Sequence, residues 1–163
     1  MALDEIDLRI LRILEKNSKT SLNDIGKGVG IFSASAISRR IRGMEEAGLI
    51  KKYSVELDHH KLGLDFITVT FVKAKYQIRY MDKVANKIEN IPGVVSVYFL
   101  LGDIDFVLIT ISRNKADYEE TLNRLTEVTE IERTDSRTVL RTFKEGDYSN
   151  TLLTLIKNLR MNV

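Results

Sequence analysis

Residues 33–42 read Ser-Ala-Ser-Ala-Ile-Ser-Arg-Arg-Ile-Arg, so three arginines, Arg39, Arg40 and Arg42, follow a run of small residues. Small side chains let a backbone approach another surface closely. Guanidinium groups behind them bind phosphates, or the O6 and N7 of guanine through a planar fork. Lys51 and Lys52 follow, and only Glu45 and Glu46 oppose these cations across residues 33–52. The rest of the first 57 residues is net acidic, and the whole chain carries a formal charge of only +2. A polyanion would therefore be met by this one surface and not by overall charge.

Other chemistry is poorly represented. The two histidines, His59 and His60, are adjacent in a polar loop and lack the spacing of a helical metal pair, so they read as solvated and no metal site is expected. With no cysteine, disulfides and thiolate sites are excluded. Gly26, Gly28 and Gly30 do not follow a strand and do not form a dinucleotide-binding turn. Neither a nucleophile–base pair nor paired carboxylates in a cleft can be read, so no catalytic residue and no cofactor is expected.

The elements that must position the arginines are legible as periodicities. Ile6, Ile10, Ile13 and Leu14 predict a helix over 4–16, with acidic residues in its first turn. Ser21, with Asp24 three residues on, starts a short second helix over 21–28. Ser33 caps a third, running to about Ala47, whose buried stripe is Ile37, Ile41 and Met44 and whose end is marked by Gly48. "LIKKYSVEL" (49–57) alternates and predicts a strand or wing. Three helices, a short turn and a wing describe a winged helix-turn-helix, with Ser38, Arg39 and Arg42 outward on the third helix and Arg40 nearer its flank.

After the loop at 58–63, composition shifts to β-branched and aromatic residues. Strands are predicted at 64–74, 94–100, 105–111 and 134–143, helices at 78–90 and 115–129, and a tail helix over 147–163. This β-α-β-β-α-β order is ferredoxin-like, and "DFITVTF" (65–71) and "DFVLITI" (105–111) repeat one another as the first strand of each half. Both strands read as apolar on both faces, so the face without helices needs a cover: a second subunit, or else the tail helix. The fold class is α+β, with residues 1–57 as the DNA-binding domain, 58–63 as linker, 64–144 as the βαββαβ domain and 145–163 as a C-terminal tail. The acidic, amphipathic N-terminus is unlike a secretory signal and no apolar run spans a bilayer, which predicts a soluble, cytoplasmic protein.

Taken together, "LDEIDLRILRILEKNSKTSLNDIG", "FSASAISRRIRGMEEAGLIKKYSVELDHHKLG", "IPGVVSVYFLLGDIDFVLITI" and "TDSRTVL" resemble the Lrp/AsnC transcription regulators over residues 3–144. The resemblance implies a helix-turn-helix joined to an effector-binding βαββαβ domain. It also implies dimers that assemble to tetramers or octamers, and an amino-acid effector held between dimers. It places DNA contacts at Ser33, Ser35, Ala36, Ser38, Arg39, Arg40 and Arg42, with Lys51 and Lys52 on the backbone. It places an effector site at the turn Gly102, Asp103, Ile104, Asp105 and at the hydroxyls of Thr134 and Ser136. That chemistry suits an amino acid: turn N–H groups hold its carboxylate, and Asp103 or Asp105 its ammonium. Gly-Asp between strands is equally an ordinary hairpin signal.

Three features depart from the family pattern: Gly26 where alanine is common, "VTEIERTDS" without a glycine before the last strand, and a longer tail. Two other functions fit parts of the sequence. One is an architectural DNA-binding protein with little sequence preference. The other is an enzyme like the siroheme decarboxylases, which resemble this family in architecture, although residues 61–163 contain no histidine.

Overall fold

The computed structural model describes residues 3–76, 78–146 and 148–161, with the side chains of 150 and 157–161 excepted. The chain forms two compact units, residues 1–56 with 144–163, and residues 57–143.

The first unit is built on three helices, α1 (Glu5–Lys16), α2 (Leu22–Val29) and α3 (Ala34–Glu46). Each start is chemically marked. Asp4 and Asp7 form a reciprocal capping box on α1, Ser21 Oγ accepts from the Asp24 N–H, and Ser33 Oγ accepts from the Ala36 N–H. α3 ends as expected, with Gly48 at φ +69° and the Leu49 N–H returning to the Met44 carbonyl. Ile10, Leu14, Ile25, Val29, Ile37, Ile41 and Met44 form the core.

Gly26 does not loosen α2. A Cβ there would stand 2.3 Å from the Ile31 carbonyl oxygen, and the Ile31 N–H donates to the Gly26 carbonyl at 2.8 Å, so the absence of a side chain lets the turn pack directly on the helix.

Residues 51–58 form no strand. The alternation of "LIKKYSVEL" is real, but a strand exists only through ladder partners and the segment has none among the described residues; Tyr53, Val55 and Leu57 are left exposed. The tail forms α6 (Tyr148–Met161) and packs on α1, with Leu153 buried. Of the predicted tail helix, Asp147, Asn162 and Val163, and the side chains of Leu159 and Met161, lie outside the described residues.

In the second unit, β1 (Phe66–Ala74), α4 (Tyr80–Ile88), β2 (Val94–Phe99), β3 (Phe106–Ser112), α5 (Lys115–Thr126) and β4 (Ile131–Thr138) build an antiparallel sheet in the order β2-β3-β1-β4. The two repeated segments are its central strands, Phe66 opposite Ser112 and Val72 opposite Phe106. β4 starts earlier and stops earlier than "TDSRTVLRTF" predicts. Its pairing with β1 runs from Ile131, opposite Ala74, to Thr138, opposite Thr68.

The two sheet faces differ. One packs under the helices around Val72, Ala74, Phe106 and Leu108 with Val84, Ile88 and Leu125. That face is not uniformly apolar: Thr68, Thr70, Thr110 and Ser112 occupy its far end, all buried. The opposite face carries Val69 and Phe71 of β1 and Val107, Ile109 and Ile111 of β3, all partly exposed.

Candidate functional site

The first cluster of candidate residues lies on α3. Ser33 Oγ and Ser35 Oγ are 3.0 Å apart at the exposed N-terminus, and Ala36 is half-buried behind them. Ile37 and Ile41 are buried, which turns Arg39 and Arg42 outward; both are exposed, and Ser38 is half-buried. Among the described residues neither Arg39 nor Arg42 is in an ion pair. Lys51 and Lys52 are exposed just beyond the helix. Glu45 is occupied by Tyr53, whose hydroxyl donates to it at 2.8 Å. Partial burial, and then that carboxylate, push the Tyr53 hydroxyl up to about 12.

Arg40 has a different role. Its Nη1 donates to Asp4 Oδ2 at 2.8 Å and to Asp7 Oδ1 at 2.7 Å, and Asp7 is buried. It therefore pins α3 to the capped start of α1. The Asp7 N–H first, then the Arg40 guanidinium, hold the Asp4 carboxyl below its ordinary range, and the carboxylates of Asp4 and then Asp7 raise Arg40. Phe32 was not singled out by the sequence. It is 89% exposed directly before the Ser33 cap, a position where an apolar side chain serves no packing within the unit.

The second cluster divides. Gly102 sits at φ +141° in the turn before β3, Asp103 is exposed and Ile104 is half-buried. Asp105 is buried and committed: Oδ2 accepts from the Ala74 N–H at 2.8 Å, Oδ1 accepts from the Tyr80 hydroxyl at 3.1 Å, and Lys73 Nζ lies 3.4 Å away. Burial, and then Asp105, raise the Tyr80 hydroxyl. Asp105 thus closes the end of β1 against α4, with both of its oxygens already engaged and the Lys73 ammonium beside one of them. Thr134 pairs opposite Val72 and Ser136 opposite Thr70. Ser136 Oγ accepts from the Tyr118 hydroxyl at 2.5 Å and lies 3.1 Å from Thr70 Oγ1. β3 and β4 flank β1, so the turn and the two hydroxyls stand on opposite sides of that strand, about two strand spacings apart, roughly 9.5 Å. One chain does not gather them into a single pocket.

Buried polar residues outside these clusters gave no sequence signal. Glu130 is 4% exposed and receives Lys83 Nζ at 2.8 Å and Lys87 Nζ at 2.7 Å, which hold its carboxyl down at about 2. A lone glutamate between a helix and a strand gives no hint of partners more than forty positions away.

The geometry agrees with known proteins. Residues 3–51 match a model for winged helix-turn-helix DNA-binding domains, and residues 66–148 match the Lrp/AsnC ligand binding domain. The chain is 34% identical over 143 residues to the HTH-type transcriptional regulator FL11 of Pyrococcus horikoshii, covering 88% of this chain and 93% of the relative. It superposes on an AsnC family transcriptional regulator from Agrobacterium tumefaciens with a TM-score of 0.82 at 28% identity, covering 89% of this chain and 95% of the other. The same fold recurs in a Neisseria meningitidis transcriptional regulator solved as a complex with L-Met, with a TM-score of 0.81 at 21% identity, covering 90% and 95% of the two chains. A winged helix-turn-helix unit followed by an Lrp/AsnC ligand binding domain accounts for most of this chain, and the chain belongs to the Lrp/AsnC family of transcription regulators.

Proposed function

We propose that this protein is a dimeric, sequence-specific DNA-binding regulator whose second unit takes a small-molecule effector, an amino acid. The observation that carries the DNA reading is the α3 surface: small residues at an exposed helix N-terminus, with Arg39 and Arg42 outward and unpaired among the described residues. Such an N-terminus fits the major groove, where Arg39 and Arg42 reach base edges or phosphates and Lys51 and Lys52 meet the backbone. Phe32, beside them, offers the kind of apolar contact that reads a thymine methyl group. Two such helices related by a two-fold axis read half-sites about 34–36 Å apart, or a multiple of that.

The dimer reading rests on the open sheet face, where Val69, Phe71, Val107, Ile109 and Ile111 form a continuous apolar surface. A two-fold partner laying the same face against it buries all of them at once. The effector reading rests on the exposed turn at Gly102 and Asp103 and on the L-Met bound by the Neisseria meningitidis protein. The turn is completed by residues of another chain at an interface between dimers, which gives the effector its route to regulation. It alters DNA binding only as far as it binds two assembly states unequally. An intracellular place follows from a DNA partner, and no helix among the described residues is long and apolar enough to cross a membrane.

The test is binding of selected and random duplex DNA to the purified protein at physiological salt, with a panel of amino acids. The expected result is a specific-over-random ratio of about a thousandfold or more that one amino acid changes. Binding without preference would make the protein architectural. No binding to DNA would overturn the reading and return attention to the enzyme-like relatives.

A further inference from the structure

Residues 51–57 read Lys-Lys-Tyr-Ser-Val-Glu-Leu and alternate as a strand does, yet among the described residues they pair with no other strand. Successive side chains of an extended segment point to opposite faces. Tyr53, Val55 and Leu57 fall on one face, 50%, 74% and 67% exposed. Lys52, Ser54 and Glu56 fall on the other and are exposed too. The segment is anchored at one point, where the Tyr53 hydroxyl donates to Glu45 at the end of α3. An exposed segment of strand-like sequence, with an apolar face and no ladder, is a template for a second strand.

The order of residues says which strand. Turned about Ser54, the stretch is complementary to itself. In an antiparallel pair of two copies with Ser54 opposite Ser54, residue 52 stands opposite 56 and residue 53 opposite 55. Lys52 of each copy then faces Glu56 of the other, and Tyr53 of each faces Val55 of the other. Opposite charges, and an aromatic ring against a β-branched residue, are cross-strand pairs that stabilise an antiparallel ladder. A slip of one residue brings Lys52 against Val55 or Leu57 and mixes the two faces. A slip of two sets Ser54 against Glu56 and Lys52 against Asp58, whose carboxylate is already held by Lys61.

We propose that residues 52–56 pair with the same residues of a second copy, antiparallel about Ser54, as a two-stranded ribbon that joins the DNA-binding units of the dimer. The ribbon rests on the dimer reading given above, because two short strands alone are marginal in water. The open sheet face supplies the main apolar contact, and the ribbon adds register. Through Tyr53 and Glu45 it is tied to the end of each α3, so it constrains how far apart the two helices stand.

The chain has no cysteine, so Ser54→Cys introduces a single thiol. Residues directly opposite in an antiparallel pair have Cα atoms about 4.5–5.5 Å apart, within the range a disulfide spans. Diamide oxidation of the full chain at micromolar concentration should convert most of Ser54→Cys to a disulfide-linked dimer on a non-reducing gel. Leu57→Cys, whose two copies lie about 20 Å apart in this register, should stay unlinked. Sedimentation equilibrium at low salt gives a second reading. Glu56→Lys should raise the dimer dissociation constant about tenfold by opposing lysines twice, and adding Lys52→Glu should restore it. A wild-type dimer in which Ser54→Cys links no faster than Leu57→Cys, or in which the charge swap restores nothing, would overturn the ribbon and leave the sheet-face dimer standing. A wild-type monomer would overturn both.

Discussion

Arg39, Arg40 and Arg42 stand within four positions, yet the structure gives them two different jobs. Arg39 and Arg42 project from α3, and Arg40 is spent on Asp4 and Asp7. Their alanine variants should therefore fail differently. Arg39→Ala or Arg42→Ala should cost about 1–3 kcal/mol of discrimination between correct and altered DNA if the side chain reads guanine, with thermal stability unchanged. Equal losses on specific and random DNA would assign the residue to phosphate instead. Arg40→Ala should lower stability by about 1–3 kcal/mol, because it strands the buried Asp7 carboxylate without its cation. A urea titration reads this, and a normal unfolding midpoint would refute the strut.

Asp103 and Asp105 separate in the same way. Asp105→Ala leaves the Ala74 N–H and the Tyr80 hydroxyl without their acceptor and should destabilise the second unit by about 2–4 kcal/mol. Asp103→Ala should leave the unfolding midpoint in place and remove the amino-acid response. A response retained by Asp103→Ala would exclude this turn as the effector site.

At the scale of elements, the sheet and its helices are joined by charge as well as by apolar packing. Glu130, just before β4, receives Lys83 and Lys87 from α4, and its carboxyl is held at about 2 instead of 4.5. A carboxyl whose value is lower in the folded state than in the unfolded chain stabilises the fold above its unfolded value. That stabilisation is lost as pH falls through 4.5 toward 2. Glu130→Gln should therefore lower the urea midpoint at pH 7, and its gap to wild type should narrow steadily below about pH 4.5. A gap that stays constant down to pH 3 would show that the two lysines do not bind the ionised form preferentially.

The element boundaries show where local reading ends. Caps, breakers and apolar periodicity are properties of a few neighbouring residues, so α1, α2 and α3 were legible to within a residue or two. The wing and β4 were not, because a strand's extent depends on where its partner's hydrogen bonds stop. Gly26 belongs to the same class: its necessity comes from the Ile31 carbonyl, which arrives only after the chain turns.

At the scale of the whole molecule, the exposed apolar sheet face carries the proposed dimer interface. Ile109 lies on that face, half-buried in the single chain and central in β3. Ile109→Glu should place a charge in the proposed dimer interface. Sedimentation velocity should then show a monomer where the wild type runs as a dimer or larger, and affinity for a two-half-site duplex should fall toward that of one half-site. A variant sedimenting with the wild-type mass would move the interface elsewhere. The tail belongs to this scale too: α6 rests on α1, so its effects should appear in the stability of the DNA-binding unit.

Read alone, the sequence determined the family, the α+β class, the three helices, the βαββαβ order and the outward stripe that carries Arg39 and Arg42. Each of these follows from local periodicity, capping chemistry or the order of motifs. Only the tertiary structure decided that Arg40 is held by Asp4 and Asp7, that Asp105 accepts from Ala74 and Tyr80, and that Glu130 receives two lysines. The physical reason is shared. A side chain's chemistry is written in its own atoms, but whether those atoms remain available is settled by partners that folding brings from elsewhere in the chain.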